Sequence, residues 1–252
     1  MSEPALRRIG LIVPSSNTTM ETEIPAMLRR RELMLPERFT FHSARMRMKQ
    51  VTKEELAAMD TESDRCATEL SDARVEALGY ACLVAIMSAG PGYHRESERR
   101  LRQRTADNDA PAAVVTSAGA LIEGLKVLGA RRVALICPYM KPLAQLVVDY
   151  IEAEGVEVKD YVALEIPDNV AVGRQDPARL LDIRRRLDLA NVDALIASAC
   201  VQMPSLGAIP ALERATGLPV ISAAVCTTHQ LLKSLDLDAL SAGAGELLSG
   251  RH

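Results

Sequence analysis

An internal repeat constrains the fold of this chain more than any other feature. Residues 7–14 read RRIGLIVP and residues 131–138 read RRVALICP, so five of eight positions are identical 124 residues apart. A second pair of apolar runs, each with one cysteine, lies at residues 79–90 and 193–204. The matches keep the same order in both halves, and their period is far too long for a solenoid. The sequence therefore predicts two similar α/β lobes.

Each lobe is predicted to contain roughly four parallel strands flanked by helices, with the lobes related by a pseudo-twofold axis. Apolar and β-branched runs predict lobe-one strands, and helical spacing of apolar residues predicts its helices. The predicted strands are residues 8–13, 39–44, the run from 79, and 112–116; the predicted helices are 54–78, 94–104 and 118–128.

The last predicted helix sets the domain division. Residues 224–235 follow the final strand of lobe two and have no sheet of their own to follow, so we expect this helix to pack back on lobe one. Lobe one is then discontinuous, with residues 1–115 plus 224–252, and lobe two spans residues 116–223.

Cys82 and Cys200 are the candidate reactive groups. Cys82 lies near the start of its apolar run, which ends in a Gly-Pro-Gly turn, and Cys200 lies near the end of its run, just before a turn. A single cysteine of this kind is more often a small buried hydrophobic residue than a nucleophile. Ligands of parallel sheets bind outside the carboxyl ends of the strands, however. If the two lobes face one another, both thiols line one cleft and approach a shared ligand from opposite sides.

Composition excludes several classes of function. The net charge is −3 and aromatic residues make up 3% of 252 residues, which argues against a nucleic-acid partner. No apolar stretch is long enough for a membrane span, and the four histidines lack the spacing of metal ligands. No dinucleotide or phosphate-loop fingerprint occurs, so no cofactor is expected. Five widely spaced cysteines, with no apolar leader segment, predict free thiols in a cytoplasmic protein.

Two opposed thiols allow two kinds of chemistry. Both can act as acid and base around one carbon, or one can add to an electrophilic carbon while the other moves a proton. Three neutral polar residues lie at or after predicted strand ends: Asn17, Tyr139 and Asn169. Each could instead be structural, as a helix cap, a packed ring or a turn residue respectively.

Three segments carry a resemblance to a known family. Residues 14–21 (PSSNTTME), 80–85 (YACLVA) and 198–204 (SACVQMP) resemble the maleate cis-trans isomerases. These belong to the aspartate/glutamate racemase superfamily, which also holds arylmalonate decarboxylase. The resemblance extends from about residue 8 to residue 235. It implies conversion of maleate to fumarate without a cofactor, in bacterial nicotine or nicotinate degradation.

The resemblance also implies a role for each site residue. Cys82 matches the nucleophile that forms a succinyl-cysteine intermediate, and Cys200 matches the group that exchanges a proton with the neighbouring carbon. The residues that match the carboxylate-holding positions are Asn17, Tyr139 and Asn169, with the backbone of Leu83, Val84 and Val201 nearby.

Other interpretations remain open at this point. An amino-acid or hydantoin racemase would use both thiols for proton transfer, but the Cys-Asn-Thr and Gly-Cys-Thr signatures are absent. A decarboxylase would leave Cys82 unexplained. A regulatory protein could bind a small acid without reacting. Residues 167–174 are either a lid that delivers Asn169 or an ordinary connection, and a homodimer is the expected assembly.

Overall fold

The computed structural model describes residues 6–252, apart from the side chain of Lys53. Residues 1–5 of the predicted lobe one lie outside the described part. Within it, no helix is both long and apolar enough to cross a membrane.

The chain forms two parallel sheets of four strands with the same strand order. The first contains β1 (Leu6–Pro14), β2 (Arg38–Met46), β3 (Ala77–Tyr80) and β4 (Ala113–Thr116), in the order β2-β1-β3-β4. The second contains β5 (Arg132–Cys137), β6 (Glu157–Ala163), β7 (Ala194–Ser198) and β8 (Val220–Ser222), in the order β6-β5-β7-β8. The repeated order confirms the predicted α/β architecture of two similar lobes.

Helices cover the sheets and connect their strands. The lobe-one helices are α1 (Met20–Glu32), α2 (Lys53–Asp72), α3 (Leu83–Ser88) and α4 (Tyr93–Asp107), followed by α5 (Ser117–Val127). The later helices are α6 (Lys141–Ala153), α7 (Asn169–Gly173), α8 (Leu180–Ile183), α9 (Ile209–Thr216) and α10 (Ala223–Ser234). Short 3₁₀ turns lie at Pro177–Arg179, Arg184–Arg186 and Glu246–Leu248.

Two sequence-based element boundaries were wrong. The helix predicted over residues 54–78 ends at Asp72, because Arg74 adopts a left-handed backbone with φ of 50° that stops it. The apolar run over residues 79–90 is not one strand: β3 ends at Tyr80 and α3 begins at Leu83. Residues 79–87 are all buried, so this part of the run shows neither a two-residue nor a helical period.

Helix α10 is the helix that the sequence predicts to pack back on lobe one. It contacts α1, β3 and β4 of that lobe, and also α5 and β8. Leu231 of α10 is fully buried, and a Cβ added to Gly79 of β3 would lie 3.5 Å from its Cδ1. Helix α5, on the lobe-two side of the predicted boundary, also packs against α10 and β4. The division into 1–115 plus 224–252 and 116–223 stays a prediction.

Leu231→Ala tests the dependence of lobe one on α10. Removing a buried leucine side chain leaves a cavity against β3, and we expect the free energy of unfolding to fall by about 2–5 kcal/mol. Amide hydrogen exchange in β1 and β3 should speed up more than in β5 and β7. Val127→Ala, a substitution at a more exposed aliphatic residue, is the control. Faster exchange confined to lobe two would contradict the assignment of α10 to lobe one.

Candidate active site

The two thiol-bearing turns are built alike in the two lobes. The residue before each cysteine donates its N–H to the first strand of its own lobe: Ala81 to the carbonyl of Ile12 at 2.9 Å, and Ala199 to the carbonyl of Ile136 at 3.0 Å. Each cysteine follows directly after this last ladder bond. Both thiols therefore leave the carboxyl ends of equivalent strands, where parallel sheets bind ligands.

One cavity collects the predicted site residues from both lobes. All eight line it: Asn17, Cys82, Leu83, Val84, Tyr139, Asn169, Cys200 and Val201. The remaining wall comes from Pro14, Met48, Val51, Ala81 and Gln202. Among the described residues, none that lines this cavity carries a charged side chain. Its polar groups are thiols, amides, a phenol and backbone N–H groups.

Cys82 lies at the N-terminal end of α3, in an extended backbone conformation. The pKa of its thiol is raised to about 12: burial is the main cause and the charge of Cys200 adds to the shift, whereas the N–H groups of Ala85 and Val84 oppose it. The free protein therefore holds Cys82 as a thiol. Because a negative charge on either sulfur disfavours one on the other, Cys82 and Cys200 can hold one thiolate between them at a time.

Cys200 has a different set of hydrogen-bond partners. Burial raises the pKa of its thiol, and three donors counter that shift: the Tyr139 hydroxyl and the backbone N–H groups of Gln202 and Met203. The Gln202 nitrogen lies 3.4 Å from Sγ. The Ser198 hydroxyl shapes this turn by donating to the carbonyl of Cys200 at 2.8 Å. These donors can stabilise a thiolate formed during a reaction.

Tyr139 follows β5 and is buried against the two thiols. Burial raises its pKa well above the usual value, and the neighbouring thiols add to the shift. The phenol therefore stays protonated and can donate to Cys200. The resemblance implies that Tyr139 holds a carboxylate; in the free protein the nearest partner for its O–H is the Cys200 sulfur.

Asn17 caps a helix, which is one of the two roles that the sequence left open. It is buried in the turn between β1 and α1, and its Oδ1 accepts hydrogen bonds from the N–H groups of Thr19 and Met20, both at 3.0 Å. These bonds cap the start of α1 and orient the carboxamide. Because these bonds use only Oδ1, the Nδ2 group of the amide can still donate to a ligand.

Asn169 begins α7, so the segment predicted as a lid or a loop contains a short helix. Asp168 caps this helix by accepting from the N–H of Ala171 at 2.6 Å. The Asn169 amide donates to the Ser16 hydroxyl of the other lobe at 2.8 Å. Beside it, Gln50 and Asp168 form an isolated antiparallel bridge between the lobes.

The cavity between the thiols is nearly closed. Its volume is about 20 Å³, enough for roughly one water molecule. A larger cavity of about 490 Å³ adjoins it and shares Val51, Tyr139 and Asn169 in its wall. The cavity between the thiols is therefore smaller than a four-carbon diacid.

Sequence reasoning gave no role to five wall residues, of which Pro14 and Ala81 stand in the PSSNTTME and YACLVA segments. Met48 and Val51 come from the connection between β2 and α2, where nothing in the sequence marks a ligand contact. Gln202 stands in the SACVQMP segment, two residues after Cys200, but received no role. In residues 6–252, no group of three or more His, Cys, Asp or Glu side chains could hold a metal ion.

The family model described as arylmalonate decarboxylase matches residues 9–248. The maleate isomerase of Pseudomonas putida strain KT2440 is 66% identical over 247 residues, which are 98% of this chain and 99% of that protein.

Two solved structures show the same architecture. A Cys-to-Ala variant of the maleate isomerase from Pseudomonas putida S16, solved with maleate, has a TM-score of 0.97 and 63% identity, covering 98% of each chain. A Cys-to-Ser variant of the Nocardia farcinica maleate cis-trans isomerase carries a covalently bound succinylcysteine intermediate. Its TM-score is 0.94 at 49% identity, covering 98% of this chain and 100% of that one. The chain belongs to the maleate isomerases, within the family that the arylmalonate decarboxylase model describes.

Proposed function

We propose that this protein converts maleate to fumarate without a cofactor, through a covalent bond to Cys82. The observation that carries the proposal is the pair of buried thiols that leave equivalent strand ends and line one uncharged cavity. The succinylcysteine intermediate of the Nocardia farcinica relative supports the covalent route.

Addition is the first step, and it starts from protein molecules in which the Cys82 thiol has lost its proton to water. The thiolate of Cys82 forms a bond to C2 of maleate, and the electron pair of the double bond moves to C3. Cys200 then gives its proton to C3 and becomes the thiolate. One thiolate and one thiol are needed at the start, which fits a pair that accommodates a single charge.

Rotation and elimination complete the cycle. In the succinyl-cysteine species the former double bond is single, so the two carboxylates can rotate to opposite sides. The Cys200 thiolate then removes a proton from C3, the bond between C2 and sulfur breaks, and fumarate leaves with Cys82 again a thiolate. Tyr139 stabilises the Cys200 thiolate between the two proton transfers by donating to it.

Neutral donors are proposed to hold the two carboxylates. They are the amides of Asn17 and Asn169, the Tyr139 hydroxyl until Cys200 becomes a thiolate and takes over as its acceptor, and the backbone at Leu83, Val84 and Val201. Hydrogen bonds from neutral groups hold a dianion without the tight ion pairs that slow product release. Helix α7 is proposed to move with the ligand and to exclude water from the C3 carbanion.

The pH dependence of turnover follows from the raised pKa of Cys82. Thiolate is the reactive form, and a pKa of about 12 means that its fraction grows about tenfold for each pH unit below that value. We expect kcat/KM for maleate to rise with pH between about 7.5 and 9.5, where maleate itself stays a dianion. A rate that is constant over this range would contradict the prediction, since it requires a thiolate already formed at neutral pH.

Incubation with maleate tests the proposed function directly. The proton signal of fumarate should appear as that of maleate disappears, with no added metal or cofactor. A protein that only binds small acids would leave the maleate signal unchanged, and a racemase would act on chiral amino acids or hydantoins instead.

Broader proposals accompany the activity. We propose a cytoplasmic location, which the five free cysteines support, and a homodimeric assembly, which is the most frequent one for soluble enzymes. The place in nicotine or nicotinate degradation stays a prediction from the resemblance, as does the lack of nucleic-acid or membrane partners.

A further inference from the structure

Gln202 is a buried polar residue that the proposed chemistry does not use. It lies two residues after Cys200 and is 2% exposed. Polar side chains this deeply buried are costly unless their hydrogen bonds are satisfied. The partners that satisfy this one come from both lobes.

On the lobe-one side, Gln202 holds the turn that carries Asn17. Its Oε1 accepts from the N–H of Thr18 at 2.8 Å, and its Nε2 donates to the carbonyl of Ser16 at 3.2 Å. Its backbone carbonyl accepts from the Thr19 hydroxyl at 2.8 Å. Residues on both sides of Asn17 are thus fixed to one glutamine.

On the lobe-two side, the same residue contacts the other two parts of the site. Its Nε2 donates to the carbonyl of Asn169 at 2.8 Å, and its backbone N–H lies 3.4 Å from Sγ of Cys200. Gln202 therefore connects the Asn17 turn, the start of α7 and the Cys200 turn in a single hydrogen-bonded group.

We propose that Gln202 is a positioning residue that sets the separation between Asn17 and Asn169, and so the length of diacid that the site accepts. This inference depends on the carboxylate-holding roles proposed for those two asparagines. The carboxamide suits the task because it accepts from one N–H and donates to two carbonyls at once. An ionised glutamate would place a negative oxygen against the carbonyls of Ser16 and Asn169.

Gly173 of α7 provides an independent probe of the same contact. A Cβ at this position would lie 2.5 Å from Nε2 of Gln202 and 2.6 Å from Oγ1 of Thr18. The absence of a side chain lets α7 lie directly against the carboxamide. Gly173→Ala should therefore displace Gln202 while leaving its chemistry unchanged.

Steady-state kinetics of Gln202→Met and Gln202→Glu test the proposal. We expect KM for maleate to rise by about 10- to 100-fold in both, because buried donors and acceptors lose their partners and the asparagines shift. Gly173→Ala should raise KM in the same direction. Gln175→Met is the matched control, since Gln175 also donates to an α7 carbonyl, that of Ala171, but does not line the cavity.

Two readouts separate positioning from a general loss of stability. In Gln202→Glu, kcat/KM relative to wild type should recover as the pH falls, because a protonated carboxyl regains a donor for the Asn169 carbonyl. In a double-mutant cycle with Asn169→Ala, the effects on kcat/KM should be strongly non-additive.

The proposal is overturned by additive effects, by a pH-independent ratio in Gln202→Glu, or by an unchanged KM in the Gln202 and Gly173 variants. Asn17→Ala and Asn169→Ala, measured alongside, distinguish a failure of the proposed carboxylate site from a failure of the role proposed for Gln202. If they also leave KM unchanged, the proposed carboxylate site fails together with this inference. If they raise KM while the Gln202 variants do not, only the role of Gln202 is wrong.

Discussion

Cys82→Ala is expected to abolish isomerisation, lowering kcat/KM for maleate by roughly 10⁴-fold or more. The reason is that the barrier to turning a carbon–carbon double bond is removed only while sulfur is bonded to C2. Without the Cys82 thiolate no single bond forms, and Cys200 has no carbanion to protonate. Turnover measured by the fumarate proton signal checks the loss, and the intact mass of the variant after incubation should show no adduct.

Cys226→Ala is the control for this experiment. Cys226 is a fully buried thiol on α10 that does not line the cavity, so its loss removes the same atom from elsewhere in the fold. We expect this variant to retain turnover. Substantial activity in Cys82→Ala would contradict a covalent role for that residue.

Cys200→Ala is expected to separate addition from elimination. Cys82 can still add to maleate, with water supplying the proton to C3 slowly. No thiolate is then present to remove a proton again, so the succinyl group stays attached. We expect turnover to fall by about 10²- to 10⁴-fold, the usual contribution of a general acid and base. Intact-mass spectra should show the protein gaining the mass of one maleic acid.

Cys137→Ala is the control for the second thiol. Cys137 ends β5, and burial raises its pKa to about 12, but it does not line the cavity. This variant should turn over maleate and accumulate no adduct. If Cys200→Ala instead behaves like Cys82→Ala, with neither turnover nor adduct, Cys200 is needed for the addition step itself.

The sequence predicted the architecture because the repeat is carried by the central strands. The segments that begin at Arg7 and Arg131 became β1 and β5, which lie next to β3 and β7, the strands that Cys82 and Cys200 follow. The position of each thiol then followed from the rule that ligands lie at strand carboxyl ends. The boundary between β3 and α3 was not predictable, since a run that is apolar on every side has no period to distinguish strand from helix.

Only the site residues that lie close to strand ends in the sequence could be predicted. Cys82, Cys200 and Asn17 stand in short segments directly after strands, so their place follows from local sequence. The positioning role proposed for Gln202 depends on hydrogen bonds to Thr18 and Asn169, which are 184 and 33 residues away in the sequence. No local pattern encodes contacts at that separation. The dual role of Asn17, as a cap of α1 and a free amide donor, likewise became visible only in the hydrogen bonds of its Oδ1.

Peptide mapping of the trapped adduct tests the central claim most directly. Cys200→Ala protein is incubated with maleate, quenched in acid, digested and analysed by mass spectrometry, so that the modified thiol is identified among Cys66, Cys82, Cys137 and Cys226. The covalent account predicts a succinyl group on Cys82 and unmodified thiols at the other three positions. A succinyl group on any of those three, with Cys82 unmodified, would contradict it.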